Sequence, residues 1–86
     1  MTHHASSSFW YHYRRLPDEV QRPADKNFRL LENNPYHPSL HFKKIHAALW
    51  SARVGRGYRA IATPDDGDFL WLWIGPHAAY DRLLKR

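Results

Sequence analysis

The sequence predicts an α+β domain in which a small, mostly antiparallel sheet is covered by helices. Residues 50–62 alternate apolar and polar side chains on both sides of Gly55-Arg56-Gly57, which is typical of a β-hairpin whose turn needs positive φ angles. Residues 16–34 carry apolar side chains at spacings of three and four, the pattern of an amphipathic helix. Residues 69–74 are apolar throughout and predict a central strand covered on both faces. Strands and helices in this order are typical of the α+β class.

The size and charge of the chain limit both its architecture and its partners. Its 86 residues predict a single domain over residues 9–86, preceded by a flexible segment over residues 1–8. The absence of cysteine excludes disulfides and thiolate metal sites and fits a reducing cytoplasm. Thirteen Lys and Arg against eight Asp and Glu give a formal charge of +5, which favours nucleic acid or an acidic protein as partner. The longest apolar run is far too short to cross a bilayer, so no membrane partner is expected.

The N-terminal half predicts one strand and one helical region. Residues 9–14 interleave aromatic with polar side chains and predict the first strand. A helix is predicted to begin at residues 16–19, because a proline and two carboxylates in the first turn suit a helix N-terminus. Pro23 either kinks this helix or divides it into two. Pro35 ends the helical region, since a residue before proline is pushed out of helical geometry.

The C-terminal half predicts strands followed by a helix. Residues 35–40 form a turn-rich connector, and residues 41–46 predict the second strand. After the hairpin, residues 63–68 predict a turn that leads into the apolar strand. Residues 77–86 carry apolar side chains at helical spacing and predict a short, basic C-terminal helix.

Basic residues on and beside the hairpin form the first candidate site. Arg53 and Arg59 are predicted on adjacent strands, close enough for two guanidinium groups to bind one phosphate. The alternative is that both are solvated strand residues. Lys43 and Lys44 on the preceding strand make the positive charge asymmetric, although they too can be solvated strand residues. With Arg56 in the turn, these lysines are interpreted as contacts to a nucleic-acid backbone.

A histidine and a tyrosine follow the last predicted strand. His77 comes directly after Gly75-Pro76, where the backbone can hold an imidazole beside the hairpin, and imidazole titrates near neutrality. We interpret it as a proton donor or acceptor; the alternatives are that His77 is a helix cap and that Tyr80 belongs to the core. The sequence has no paired carboxylates, Ser-His-Asp set, phosphate-binding glycine loop or zinc-ligand spacing, so no cofactor and no metal are predicted.

Several short segments occur in the order and spacing of a known family. They are Leu16-Pro17, Asn34-Pro35 with Leu40, Lys43-Lys44-Ile45, the stretch from Ser51 to Gly55, Tyr58-Arg59-Ala60, and the stretch from Trp73 to Asp81. On these segments the sequence resembles the RelE/ParE superfamily of bacterial type II toxin–antitoxin toxins, from about residue 9 to the end. The resemblance implies a β-α-α-β-β-β-α fold, with two N-terminal helices packed on the sheet and a short C-terminal helix.

For function, the resemblance to RelE-like members implies a metal-independent endoribonuclease that cuts mRNA in the ribosomal A site. In that chemistry a ribose 2′-hydroxyl attacks the adjacent phosphate and leaves a 2′,3′-cyclic phosphate. By position, Arg59 matches the arginine that stabilises the scissile phosphate, and Arg53 and Lys43 match basic residues near it. His77 matches a C-terminal histidine that acts as base or acid, and Tyr80 approximates the aromatic residue after it. A cognate antitoxin is the implied partner, and the cytoplasm is the implied compartment.

One position departs from the family and bears on the mechanism. Some members place a glutamate base just before the second strand, where this sequence has Leu40. Proton transfer is therefore assigned to His77, with His41, His46 or a lysine as possible helpers. Two other functions stay open: a ParE-like inhibitor of DNA gyrase without catalysis, and a catalytically silent relative that only binds its antitoxin or RNA. A titrating group beside two arginines argues against the gyrase inhibitor, because a pure binder has no need of one.

Overall fold

A five-stranded mixed sheet and three helices make up the fold. The computed structural model describes residues 2–85. The elements in chain order are β1 (His3–Ala5), α1 (Ser7–Arg14), α2 (Asp18–Asn33), a 3₁₀ turn (Pro38–Leu40), β2 (Lys43–His46), β3 (Leu49–Val54), β4 (Tyr58–Asp65), β5 (Asp68–Pro76) and α3 (His77–Leu84). The strand order is β1-β5-β4-β3-β2, with β1 parallel to β5 and the other pairs antiparallel. The α+β class and the mostly antiparallel sheet are confirmed.

The predicted hairpin is confirmed and fixes the register of the sheet. In β3 and β4, Arg53 is the direct partner of Arg59, and Ala52 is the partner of Ala60. The turn between them needs a glycine at position 55, where φ is +54° and an added Cβ would lie 3.3 Å from Pro23 of α2. The hairpin turn and α2 are therefore packed closely against each other.

The two faces of the sheet differ in composition. One face, here called the helix-covered face, packs against α1 and α2. The core lies between this face and the helices. It consists of Leu16, Ala24, Leu31, Leu40, Ala52, Val54, Ala60, Ala62, Phe69, Trp71 and Ile74. The other face, here the basic face, carries Lys43, Ser51, Arg53, Arg59 and Ile61, because paired residues in an antiparallel sheet share a face and successive residues alternate. The sheet thus separates the core from the candidate site.

Helix α2 is continuous, and Pro23 does not divide it. The predicted start and end of this helix are confirmed at Asp18 and Asn33. Because Pro23 lies in the second turn, it removes only one backbone hydrogen bond, close to the N-terminus of α2. The second helix of the pair, α1, comes instead from residues for which a strand was predicted.

The predicted strand over residues 9–14 is wrong, because Ser7–Arg14 form α1. Ser6 caps this helix, its side chain accepting a hydrogen bond from the N–H of Phe9 at 3.0 Å. Phe9 and Tyr13 are four residues apart, so both reach the core from one side of the helix. The Oγ of Ser8 donates to the carbonyl of Leu72 at 3.0 Å, which seats α1 along the edge of β5.

The N-terminal segment is part of the sheet rather than a frayed extension. His3–Ala5 pair with residues 69–71 of β5. His3 is buried, its ring stacks on Phe69 with 5.6 Å between centroids, and its Nδ1 accepts a hydrogen bond from Nε1 of Trp71 at 3.0 Å. Burial lowers the pKa of His3 from 6.5, because desolvation disfavours the charged imidazolium. The imidazole therefore behaves as a core aromatic ring that also accepts a hydrogen bond.

Strand β5 is flanked by β1 and β4, whereas β4 occupies the middle of the sheet. A bulge interrupts β5, since Trp71 pairs with Ala62 while Trp73 pairs with Ile61. Trp71 consequently lies on the helix-covered face and Trp73 on the basic face. Regular alternation would have placed both indoles on one face, so the apolar run alone could not predict this arrangement.

The remaining connections are shorter than the sequence predicted. The turn between β4 and β5 narrows from residues 63–68 to Asp66-Gly67, whose φ angles are both positive, as a two-residue hairpin requires. The second predicted strand begins at Lys43, because His41 adopts a left-handed conformation at the end of the 3₁₀ turn. The sheet has one strand more than the implied β-α-α-β-β-β-α order. The C-terminal helix is confirmed, although Arg86 lies outside the described residues.

None of the helices within residues 2–85 is both long and apolar enough to cross a membrane.

Candidate active site

The centre of the candidate site is a pair of arginines on the basic face. Arg53 and Arg59 are direct cross-strand partners in β3 and β4, so their Cβ atoms are about 5 Å apart. Like charges placed directly opposite each other destabilise a sheet. Within residues 2–85, neither guanidinium forms an ion pair with a carboxylate. The arrangement therefore favours an external anion between or above the two side chains.

Arg59 is the more constrained of the two arginines. Its guanidinium carbon lies 5.6 Å from the centroid of the Tyr80 ring, and its Nη1 is buried without a hydrogen-bond partner among the described residues. A buried donor without a partner costs about 1–3 kcal/mol, and more when it is charged. Arg53 is exposed, so the pair combines one fixed cation with one adjustable cation. Ser51 lies on the same face, and its Oγ is also buried without a partner in the described part of the chain.

His77 begins α3 and is held at the hairpin by its backbone. Its N–H donates to the carbonyl of Gly57 at 2.8 Å, which fixes the start of α3 against the turn between β3 and β4. Its Nδ1 lies 3.1 Å from Oδ2 of Asp81, one helical turn later. The Asp81 carboxylate lies beside Nδ1, so Nε2 is the ring nitrogen left available to a substrate. The side chains of His77 and Asp81 are each about half exposed, at 49%.

Tyr80 connects the arginine pair to the histidine. It is buried, with its ring 5.8 Å from the His77 ring and 5.6 Å from the guanidinium carbon of Arg59. Both groups therefore contact the same aromatic ring on the basic side of the sheet. The structure brings Arg53, Arg59, His77 and Tyr80 into one neighbourhood at the hairpin end of β4 and β5.

The remaining basic residues are distributed less evenly than the sequence suggested. Lys43 pairs with Ser51 and lies on the basic face, whereas Lys44 pairs with Trp50 and belongs to the other face. Arg56 is exposed at the tip of the hairpin, next to the carbonyl that binds the His77 backbone. His41 precedes β2 and His46 is its last residue. Because β2 is the edge strand farthest from β5, the structure does not bring these histidines to His77.

Sequence reasoning missed Asp81 as a partner of His77 and Ser51 as a neighbour of the arginine pair. The spacing of four residues between His77 and Asp81 was a usable signal once a helix was predicted from residue 77. No sequence signal distinguishes Ser51 from any other small strand residue. Among residues 2–85, no three His, Cys, Asp or Glu side chains are arranged to bind a metal ion.

Among the comparisons with known proteins, only the solved structures identify a shared fold. No protein-family model matches the sequence, and no curated protein matches it either. A chain of the RelB–RelE antitoxin–toxin complex from Methanococcus jannaschii superposes with a TM-score of 0.73 at 13% identity, over 94% of this chain and 98% of that one. A chain of the toxin–antitoxin complex RelBE2 from Mycobacterium tuberculosis gives 0.69 at 23% identity, over 90% and 91%. YafQ from E. coli gives 0.68 at 18% identity, over 91% and 94%. The resemblance to RelE-like toxins is thereby confirmed at the level of the fold, which this chain shares with these structures.

Proposed function

We propose that this chain is the toxin of a type II toxin–antitoxin pair and an endoribonuclease that cuts mRNA on the ribosome. The observation that carries the proposal is the pairing of the half-buried Arg59 directly opposite Arg53. In the described part of the chain, neither guanidinium forms an ion pair with a carboxylate. Two uncompensated cations beside an oriented imidazole suit a phosphodiester whose negative charge increases during the reaction. The fold shared with RelE structures supports the same assignment.

The reaction proceeds by attack of the ribose 2′-hydroxyl on the adjacent phosphorus, forming a 2′,3′-cyclic phosphate and releasing the 5′-oxygen. Arg59 and Arg53 hold the non-bridging oxygens and stabilise the charge of the pentacoordinate transition state. One proton leaves the 2′-hydroxyl and one reaches the 5′-oxygen; Nε2 of His77 carries one of these transfers and solvent water carries the other. Asp81 keeps the imidazole in the tautomer that this role requires. Tyr80 fixes the distance between the imidazole and Arg59.

The RNA backbone extends from the cleavage site across the basic face. Lys43 lies on this face beside Ser51, and Arg56 lies at the hairpin tip near the start of α3. Both side chains are exposed and contact phosphates on either side of the cleaved one. Lys44 points away from this face and contributes only general attraction to RNA.

A cognate antitoxin is the proposed protein partner. Structural relatives from Methanococcus jannaschii and Pyrococcus horikoshii are RelB–RelE complexes. An acidic segment of such a partner would neutralise the arginine pair and the lysine beside it, because these cations have no internal counter-ions among residues 2–85. The ribosomal substrate implies that the protein acts in the cytoplasm.

The proposal is tested by primer extension on a message translated in vitro. We expect wild-type protein to cut the message only while ribosomes translate it, and His77→Ala to lose cutting while keeping its fold. Arg59→Met should reduce cutting by about a hundredfold or more, as loss of one charge-stabilising donor typically does. Arg29→Met, an exposed arginine on α2, is the matched control and should cut normally. A folded wild-type protein that leaves every translated message intact contradicts the proposal, and inhibition of DNA supercoiling by the same sample would identify a gyrase inhibitor.

A further inference from the structure

A second cavity lies beside the candidate active site and plays no part in the chemistry described above. Its volume is about 390 Å³, within the range of small-ligand sites in proteins. It opens between the end of α1, the C-terminal part of β5 and the first turn of α3. Its lining includes His12, Arg15, Trp73, Pro76 and Ala79.

The cavity combines an aromatic wall with a basic rim. Trp73 is half-buried, and its ring centroid lies 6.0 Å from that of His12 at an interplanar angle of 58°. Arg15 is exposed, but its Nη1 donates to the hydroxyl of Tyr11 at 2.7 Å and its guanidinium carbon lies 5.4 Å from the Tyr11 ring centroid. The cation is therefore held in place, and no carboxylate within residues 2–85 forms an ion pair with it. Aromatic faces next to a fixed guanidinium are the groups that bind unstacked nucleobases and their phosphates.

Gly75 of β5, the cross-strand partner of Arg59, determines where the Trp73 ring lies. Gly75 is the direct partner of Arg59, and a Cβ at position 75 would lie 2.5 Å from Cζ2 of Trp73. The absence of a side chain at Gly75 lets the Trp73 ring lie flat over the backbone there. Because adjacent strands are about 4.8 Å apart, the aromatic wall is one strand away from the backbone of Arg59. A nucleotide adjoining the cleaved phosphate can reach the cavity from there.

We propose that this cavity binds a nucleobase of single-stranded RNA next to the phosphate held by Arg59. The base stacks on Trp73 with His12 at its edge, and Arg15 binds the phosphate that follows. This inference rests on the proposed function, since it requires RNA as the substrate. It makes Trp73 and Arg15 determinants of which sequence is cut, whereas Arg53, Arg59 and His77 determine whether cutting occurs.

The binding test uses a labelled single-stranded RNA hexanucleotide whose 2′-hydroxyls are methylated, so that cleavage cannot occur. Fluorescence anisotropy should show that Trp73→Leu weakens binding by about 5-fold to 100-fold, the usual range for loss of one stacked base. Arg15→Ala should weaken it by about 10-fold to 100-fold, as expected for loss of one hydrogen bond to a charged group. Trp73→Phe should restore most of the affinity, because it keeps an aromatic face. Arg14→Ala is the matched control: Arg14 is exposed on the same helix, does not line the cavity, and should bind within about twofold of wild type. A blunt RNA duplex should show no difference between Arg15→Ala and Arg14→Ala.

Primer extension on translated message gives the second readout. Arg15→Ala and Trp73→Leu should change the distribution of cut sites, whereas Arg14→Ala should preserve it. Equal binding and identical cut sites for Arg15→Ala and Arg14→Ala would overturn the cavity assignment while leaving the nuclease proposal intact. If wild-type protein cuts no message but Arg15→Ala still weakens hexanucleotide binding relative to Arg14→Ala, the nuclease proposal fails and the nucleobase site stands. Because Arg15 is exposed, its variant keeps the test decisive even if Trp73→Leu fails to fold.

Discussion

Replacing Arg59 by methionine should reduce RNA cleavage by about a hundredfold or more and at the same time stabilise the fold. The substitution removes a buried donor without a partner, which relieves about 1–3 kcal/mol, and a like charge opposite Arg53, which relieves up to about 1 kcal/mol. It also removes the contact of the guanidinium with the Tyr80 ring, which is worth about 0.5–2 kcal/mol. Methionine keeps the unbranched stem but ends near the position of Nε, and its flexible side chain can adjust into the space that the guanidinium leaves. The difference favours the variant by about 1 kcal/mol, or a rise in Tm of about 4–8 °C for a domain of this size.

Thermal unfolding followed by circular dichroism measures this change, and primer extension measures cleavage in the same preparations. Arg53→Met is the matched control, because Arg53 carries the same charge at the opposite register position but is exposed. It should lower cleavage and gain only the relief of the like-charge pair, up to about 1 kcal/mol, because it removes no buried donor without a partner. A loss of more than about 1 kcal/mol of stability in Arg59→Met would refute the reasoning, since it would mean that the Arg59 guanidinium already makes favourable contacts in the free protein.

Three further predictions concern the N-terminal strand, the end of β5 and α3. Burial lowers the pKa of His3, so below about pH 6.5 the unfolded chain binds a proton that the folded chain does not. The free energy of unfolding, measured by urea titration, should therefore fall between pH 7 and pH 5. Replacing His3 by glutamine (His3→Gln) should flatten this dependence. Gly75→Ala should cost about 1–3 kcal/mol, because the added Cβ would overlap the Trp73 ring, and the double variant with Trp73→Leu should recover part of that loss in chemical denaturation. Asp81→Asn should lower kcat for RNA cleavage by about a hundredfold with little change in KM, because His77 loses its orienting carboxylate.

Each of these predictions has a control within the chain. His4→Gln replaces the exposed neighbour of His3 and should leave most of the pH dependence in place. Additive losses in the Gly75 and Trp73 double variant would show that the two positions do not contact each other. Asp81→Asn should change stability by less than about 1 kcal/mol, as expected for an exposed ion pair. If it lowers cleavage no further when His77 is already replaced, the two side chains act as one unit.

The hairpin shows what local sequence can predict in this chain. Glycines at positions 55 and 57 both take positive φ angles, and alternation on either side sets which residues share a face. The register of Arg53 against Arg59 follows from the turn alone, so this half of the candidate site was accessible from the sequence. The start of α2 could also be predicted from the sequence, because proline and carboxylates favour a helix N-terminus through local interactions.

The N-terminal region shows what local sequence cannot predict. Aromatic residues over 9–14 favour strands by intrinsic preference, but the Ser6 cap and the packing of Phe9 and Tyr13 on the core select a helix. The three residues of β1 have too little local signal for any assignment. They form a strand because β5 offers a free edge and because His3 fits among aromatic rings, which are tertiary conditions.

The bulge at Leu72 has a consequence for how this small sheet distributes its aromatic residues. It lets two tryptophans that are two positions apart along one strand serve opposite sides of the molecule, Trp71 as a partner of His3 in the interior and Trp73 as a wall next to Arg59's strand. Without the bulge, strict alternation along β5 would place both indoles on the same face. A single inserted residue thus allows the same short strand to maintain the core and to line the cavity proposed for a nucleobase.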